Sequence, residues 1–412
     1  MGMSLLIENA LLVRPGEAPQ ANARLLIDGK TLAATGEFEA PADAERIDAR
    51  GLVATPGLID AGVFRSDAAA CLAGGITRVL LMPDQSPPLD DPALVERAMR
   101  IGKPHVWVHP LAAATKGLGG RELAEIGLMR DAGAVAVATG RTAISDAATM
   151  YRLLQYAAGF GLTVVTHAED SSLAGDSSVT SGQTATRLGL PAAPAVAEPL
   201  AVARDVRLAE AAGAKLHIRT VSMAESIEII DRAKRRGVQL TCGTTPAHAL
   251  LSDRELTGYR TFTKLSPPLR CEEDRTAVVD ALRAGTIDIV CSAHDPRTQE
   301  DKRLPFADAA PGMAGLETLL PLTLMALGDE PDLARAAALL SGNPARIFGL
   351  PGGKLEAAAP ADLVLFDPGA SWRVDASAFD HAAGNTPFDR LPVSGRVEMT
   401  IKGGEIVYRR NS

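Results

Sequence analysis

The chain has 412 residues, 46% hydrophobic and 4% aromatic, and its 42 Lys and Arg against 50 Asp and Glu leave a net charge of −8. The charges are interspersed and there is no long basic run, which excludes a nucleic-acid surface of the usual kind. No apolar stretch reaches the ~18–20 residues that span a bilayer, and the N-terminus lacks the basic and apolar regions of a signal peptide. A cytoplasmic chain is expected, with Cys71, Cys242, Cys271 and Cys291 reduced and none in a C-x-x-C pair.

The first ~50 residues read as short strands, among them L-L-I-E-N-A-L-L-V and A-R-L-L-I-D, with Asp28-Gly29 supplying hairpin chemistry. From residue 56 the pattern changes to β-rich runs alternating with longer helical stretches. Strands are expected at 58–64, 77–83, 105–110, 134–139, 162–168, 215–222, 238–244 and 288–294. Helices are expected at 91–102, 145–159, 196–212, 223–236 and 272–284. Eight strands with helices between them predict an α/β chain built on a parallel (β/α)₈ TIM-type barrel. A doubly wound open sheet is the alternative, but no G-x-G-x-x-G fingerprint supports it. After residue 350 the strand pattern returns. The reading is therefore a barrel over 56–349 and one small composite β-sandwich domain from 1–55 plus 350–412.

Residues 55–64 read T-P-G-L-I-D-A-G-V-F, and T-H-A-E-D, S-P-P-L-R-C-E-E-D, P-G-M-A-G-L-E-T-L-L-P, G-N-P-A-R-I-F-G-L and P-A-D-L-V-L-F-D-P follow in order. In this order and spacing the motifs resemble dihydroorotase, one of the cyclic amidohydrolases. The resemblance implies a metal-dependent barrel in which one or two zinc ions activate water against a cyclic amide. That family writes the first motif as T-P-G-x-I-D-x-H-x-H. Two histidines two apart on a strand face the same side and can grip one ion. This chain has Gly62 and Phe64 there.

The same comparison implies that the other ligand positions are mostly lost. Ala138 and Thr139 stand where the fourth strand supplies a bridging carboxylate. His167 is retained at the fifth strand. Thr220 replaces the histidine of the sixth. Ala293 replaces the aspartate of the eighth, which is both ligand and general base. Among substrate contacts, Ser66 aligns with the family's arginine while the adjacent Arg65 faces the other way, Asp84 aligns with an asparagine, and Arg297 aligns with a loop histidine. The segment from Phe64 to Gly74 looks shorter than its counterpart. One imidazole does not hold catalytic zinc, which normally takes three protein ligands. The implied consequence is negligible dihydroorotase turnover.

Other groups carry competing readings. His167 is either half of a new site or a hydrogen-bonded barrel histidine, and the second is preferred. For His294 and His248 a packing or loop role is preferred to a ligand pocket. Cys242 and Cys291 with His167 suggest a relocated soft-metal site, but core filling is preferred. Asp295 is read as a loop acid rather than a displaced base, and Glu169 with Asp170 as structural acids rather than a catalytic pair. Phe64 is expected to fill part of the metal space, with Gly62 making room for its ring. The residual pocket is expected from His167, His294, Asp84, Arg297 and Asp295.

The leading expectation is a catalytically silent dihydroorotase homologue of pyrimidine biosynthesis. By resemblance its partner is the catalytic chain of aspartate transcarbamoylase, and it forms a dimer. No cofactor is expected. The alternatives are an active amidohydrolase with a rebuilt site, which would need zinc, and a small-molecule binding protein that uses the barrel mouth.

Overall fold

Eight parallel strands lie in sequence order, at Leu58–Val63, Ile76–Leu81, Trp107–Ala113, Ala136–Ala138, Thr163–Thr166, Lys215–Ile218, Leu240–Thr244 and Ile289–Val290. The computed structural model describes residues 4–379 and 384–410. The strands are short, and nearly every residue in them is buried, as expected of a sheet with helices outside and side chains in its lumen. The first and last strands meet where Ser292 N–H donates to Asp60 (3.0 Å) and Phe64 N–H donates to the His294 carbonyl (2.9 Å), making a nearly closed barrel.

The expected helices form at Pro92–Ala98, Ala147–Gly159, Ala197–Ala212, Ala224–Arg235 and Glu272–Ala284. Their ends are set locally. Asp146 caps the second by accepting from Thr149 N–H at 2.8 Å, and Gly213 ends the third with a left-handed φ of 63°. Among the described residues, no helix is long and apolar enough to cross a membrane.

Both chain ends build one eight-stranded sheet. Its order runs from Glu405–Arg409 through Pro392–Lys402, Leu363–Arg373, Val53–Pro56 and Leu5–Leu12 to Gln20–Asp28 and Thr31–Thr35. Glu45–Asp48 pairs beside Leu5–Leu12. The hairpin at Asp28 forms with Asp28 opposite Thr31, so its loop is Gly29-Lys30. Leu5, Ile7, Leu25, Ile27, Leu363 and Ile401 give this sheet an apolar core of its own.

One buried cluster ties the sheet to the barrel. Asp362 accepts from Arg78 Nη2 (2.5 Å) and Gly403 N–H (2.7 Å), and both side chains of the ion pair are about 5% exposed or less. Arg78 also lies over the Trp107 ring, which Lys402 Nζ approaches to 3.7 Å from its centroid. Removing one partner of such a pair strands a buried charge, which costs roughly 3–5 kcal/mol. Asp362→Ala is therefore expected to lose that much stability in urea unfolding. A loss under ~1 kcal/mol would show that water already reaches Arg78.

Candidate functional site

The site lies where the barrel strands end, and each strand end brings one piece. In the first strand the pairing is irregular between Asp60 and Val63. Leu58 packs in the large cluster that also holds the helices, whereas Phe64, of the same parity, joins Ile59, Leu80, Leu111, Val165 and Ile289 in a second cluster. The irregularity is where side-chain alternation changes, and it brings Phe64 to the top of the lumen filling, 7% exposed.

Two guanidinium groups stack on that ring. Arg141 stands 3.9 Å and Arg219 4.9 Å from its centroid. Neither arginine was a candidate on sequence grounds. Arg219 follows the sixth strand, which stops at Ile218, so strand alternation does not govern its direction. Its side chain is buried, 2% exposed, and Nη2 donates to His167 Nδ1 at 3.0 Å. Gly62 has a part here that differs from the expected one. A Cβ built on it would meet Arg219 Cγ and Cδ at 4.0 Å and Cys291 Sγ at 3.7 Å. The space above Gly62 is thus taken by the Arg219 stem rather than by the Phe64 ring, and a longer side chain at 62 would run into that stem.

Arg141 follows the fourth strand and is turned inward by Asp84, whose Oδ1 accepts the Arg141 N–H at 2.9 Å. Gly140 permits this, because a Cβ there would come within 2.9 Å of that carboxylate. Asp84 is thus a loop anchor and does not line the cavity, a correction to its expected place in the pocket. Arg141 pairs with Asp295 through Nη1 and, at 3.2 Å, Nη2, and Arg297 Nη2 reaches the same carboxylate at 2.7 Å. Asp295 is saturated by two arginines and does not serve as a free base. Arg297 Nε donates to the Pro311 carbonyl at 2.8 Å.

His167 accepts from Arg219 on Nδ1, which leaves Nε2 to carry the proton, 3.6 Å from Glu169 Oε2. Its own N–H donates to Thr139 Oγ1 at 3.1 Å, so Thr139 positions the strand-five backbone. Glu169 also accepts from Arg270 (3.2 Å), which bonds Glu198 and Ser222 as well. Burial pushes the Glu169 carboxyl up, but His167 and Arg270 outweigh it and hold the group down at about 2. Asp170 instead caps a short helix by accepting from Ser172 N–H at 2.9 Å, so the two acids do not work as a pair.

His294 is fully buried behind the cavity, with Nδ1 accepting from Gly315 N–H at 3.2 Å, and it does not line the pocket as expected. His248 does line the pocket, bonded to Thr245 Oγ1 (2.8 Å) and the Pro267 carbonyl (3.0 Å), and burial lowers it to about 4, hence neutral. Ala293 lines it too, with a strained φ of 48°. Thr220 is buried and does not line it. Cys242 and Cys291 donate to separate carbonyls, Thr286 and Thr244, and burial pushes both thiols up to about 12. Arg65 is exposed, and neither it nor Ser66 lines the cavity.

The cavity measures about 250 Å³, with Phe64, Leu265, Pro311 and Met313 as apolar wall and Arg141 and Arg219 as its cations. These residues do not fit a zinc centre. Among the described residues, no three His, Cys, Asp or Glu side chains converge on one point. A buried guanidinium also occupies the His167 imidazole and adds positive charge where a cation would need donors.

The model of the amidohydrolase family matches residues 59–407. A curated dihydroorotase from Syntrophotalea carbinolica is 40% identical over 99% of both chains, and one from Pelotomaculum thermopropionicum is 39% identical over 99% of both. Among solved structures, the L-hydantoinase of Arthrobacter aurescens superposes with a TM-score of 0.88 at 25% identity, over 100% of this chain and 97% of that one. A D-hydantoinase from Thermus sp. superposes at 0.85 and 22% identity, over 99% and 97%, a likeness of fold.

Proposed function

Because the chain belongs to the amidohydrolase family, we propose that it is a dihydroorotase homologue without metal-dependent hydrolysis, kept for assembly with the catalytic chain of aspartate transcarbamoylase. One observation carries the first half. Phe64 and Arg219 fill the space above the first strand, and Arg219 takes the lone electrons of His167. Asp295, the nearest carboxylate to a replacement base, is held by two arginines. Support for the second half is the resemblance to dihydroorotase-like chains that partner transcarbamoylase, together with a fold kept over the full length of its relatives. The chain is proposed to act as a homodimer in that assembly.

A second reading is favoured by the 40% identity to a curated dihydroorotase. On that reading the chain hydrolyses a cyclic amide with a rebuilt site. The geometry weighs against it, since His167, Asp295 and Arg297 all have bonded partners inside the protein.

The assembly role is tested with transcarbamoylase catalytic chains of the same organism. Co-expressed with this chain, they should elute as one larger complex and lose assembly or activity when it is withheld. Transcarbamoylase that is fully assembled and active alone would end the proposal.

A further inference from the structure

Beyond Phe366 the strand Leu363–Arg373 leaves Val53–Pro56 and continues as a two-stranded ribbon with Pro392–Lys402. Pairing is interrupted between Asp367, opposite Arg396, and Ser371, opposite Ser394, so extra residues bulge from the first strand and bend the ribbon. Gly395 lets the ribbon lie close on the helix Leu319–Leu327, since a Cβ there would come within 2.7 Å of Leu324 Cδ1. A cavity of about 460 Å³ opens beside this contact and shares no lining residue with the barrel mouth. Arg373, Arg396 and Arg410 line it together with Trp372, Phe379 and Tyr408.

Arg396 has no anion of its own. Its Nε is buried without a hydrogen-bond partner, and its guanidinium lies 5.5 Å from the centroid of the Trp372 ring. Asp367, its neighbour across the ribbon, accepts instead from Gly369 N–H at 2.8 Å and Ala370 N–H at 3.1 Å. Arg373 donates to the Arg390 carbonyl at 2.8 Å, and among the described residues no carboxylate pairs with either cation. Arg410 is engaged, bonded to the Val397 carbonyl at 3.0 Å and close to Glu398 at 3.4 Å. A buried donor left unfilled is costly, and a ligand that fills it recovers that cost.

We propose that this cavity, between the ribbon and the outside of the barrel, binds a nucleoside phosphate, with Arg396 and Arg373 meeting the phosphate and the aromatic side chains meeting the base. Guanidinium groups match phosphate in charge and in the direction of their donors. Aromatic side chains accept any base, because every base has a π-face. The Trp372 indole N–H donates to the Gly395 carbonyl at 3.2 Å, which fixes the ring before a ligand arrives. At about 460 Å³ the volume falls within the ~300–1,000 Å³ of small-molecule sites and suits one base, one ribose and a phosphate. Glu317 and Asp375 also line the cavity, so a long polyanion would be repelled while a ligand with hydroxyl or amino donors is tolerated. The site lies apart from the barrel mouth and goes beyond the assembly role proposed above.

AMP is the probe, with adenosine as the base and sugar alone and inorganic phosphate as the anion alone, each titrated into the full chain at low salt. Calorimetry and saturation-transfer NMR should show AMP binding at least about tenfold tighter than either part. Arg396→Met, which keeps the stem and removes the charge, should weaken AMP at least about tenfold. A merely structural guanidinium would lower the melting temperature and leave that affinity unchanged. Should Arg396→Met fail to fold, Arg373→Met at the exposed rim must weaken AMP at least about threefold. Arg141→Met, at the barrel mouth, should leave AMP affinity unchanged. The proposal is overturned by no AMP signal at about 10 mM, where any site tighter than millimolar is filled, by unchanged affinity in the ribbon variants, by phosphate or adenosine binding as tightly as AMP, or by loss of AMP binding in Arg141→Met.

Discussion

Purified protein supplied with excess zinc is expected to hydrolyse dihydroorotate no faster than buffer, beside an authentic dihydroorotase that turns over under the same conditions. Two losses multiply. A catalytic zinc normally takes three protein ligands, and among the described residues no three His, Cys, Asp or Glu side chains converge on one point. A general base is worth roughly 10²–10⁴-fold, and Asp295, the nearest carboxylate to that role, is bound by Arg141 and Arg297. Electrostatics adds a third obstacle. Arg219 Nη2 stands 3.0 Å from His167 Nδ1, so a dication on that imidazole would sit beside a fixed positive charge. Like charges repel at such range, and a dication is repelled about twice as strongly as a single charge. Measurable turnover that disappears in His167→Ala would mean that the barrel rebuilds a metal site, and the pseudoenzyme reading would fall.

Acid is expected to unfold the protein between about pH 6 and 4, earlier than carboxylate protonation alone would. Three histidines carry this, His217 and His248 buried and His109 partly buried. His217 is lowered to about 3, and His109 and His248 to about 4, first by burial and then by nearby cations. Their folded-state values lie below the ordinary ~6.5, so unfolding takes up protons. The stability they confer is fully present above ~6.5 and drains as pH falls toward the folded values. At 1.36 kcal/mol per unit each contributes on the order of 3 kcal/mol, roughly 10 in all. Asp60 acts in the opposite direction. Burial raises it to about 6, so its protonation returns about 3 kcal/mol over the same window. The net loss, on the order of 5 kcal/mol or more, rivals the ~5–15 kcal/mol of a whole domain. Urea unfolding at pH 7, 6, 5 and 4 measures it, and His217→Asn should flatten the slope by about a third. Constant stability down to pH 4.5 would refute the account.

The strand and helix positions were legible because their signals are local. Short β-rich runs bounded by Gly and Pro mark the strands, and Asp146 and Gly213 mark helix ends by their own backbone chemistry. The identities of Gly62, Phe64 and Ala293 at the strand ends were legible as well, since they are read directly from the chain. The fate of Asp84 was not. Its alignment with an asparagine suggested a place in the pocket, but its bond to the Arg141 backbone spans 57 residues of sequence.

By itself, then, the sequence determined the barrel and the side chains at its strand ends, because periodicity and side-chain identity are written residue by residue. Only the tertiary structure decided what fills the barrel mouth. Arg219 leaves the sixth strand after alternation has ended, and its direction is set by His167, 52 residues away, and by the ring of Phe64. Arg141 reaches Asp295 across 154 residues. Such contacts follow from closing the barrel, which brings eight strand ends to one mouth, and no local pattern in the chain encodes which side chain fills it.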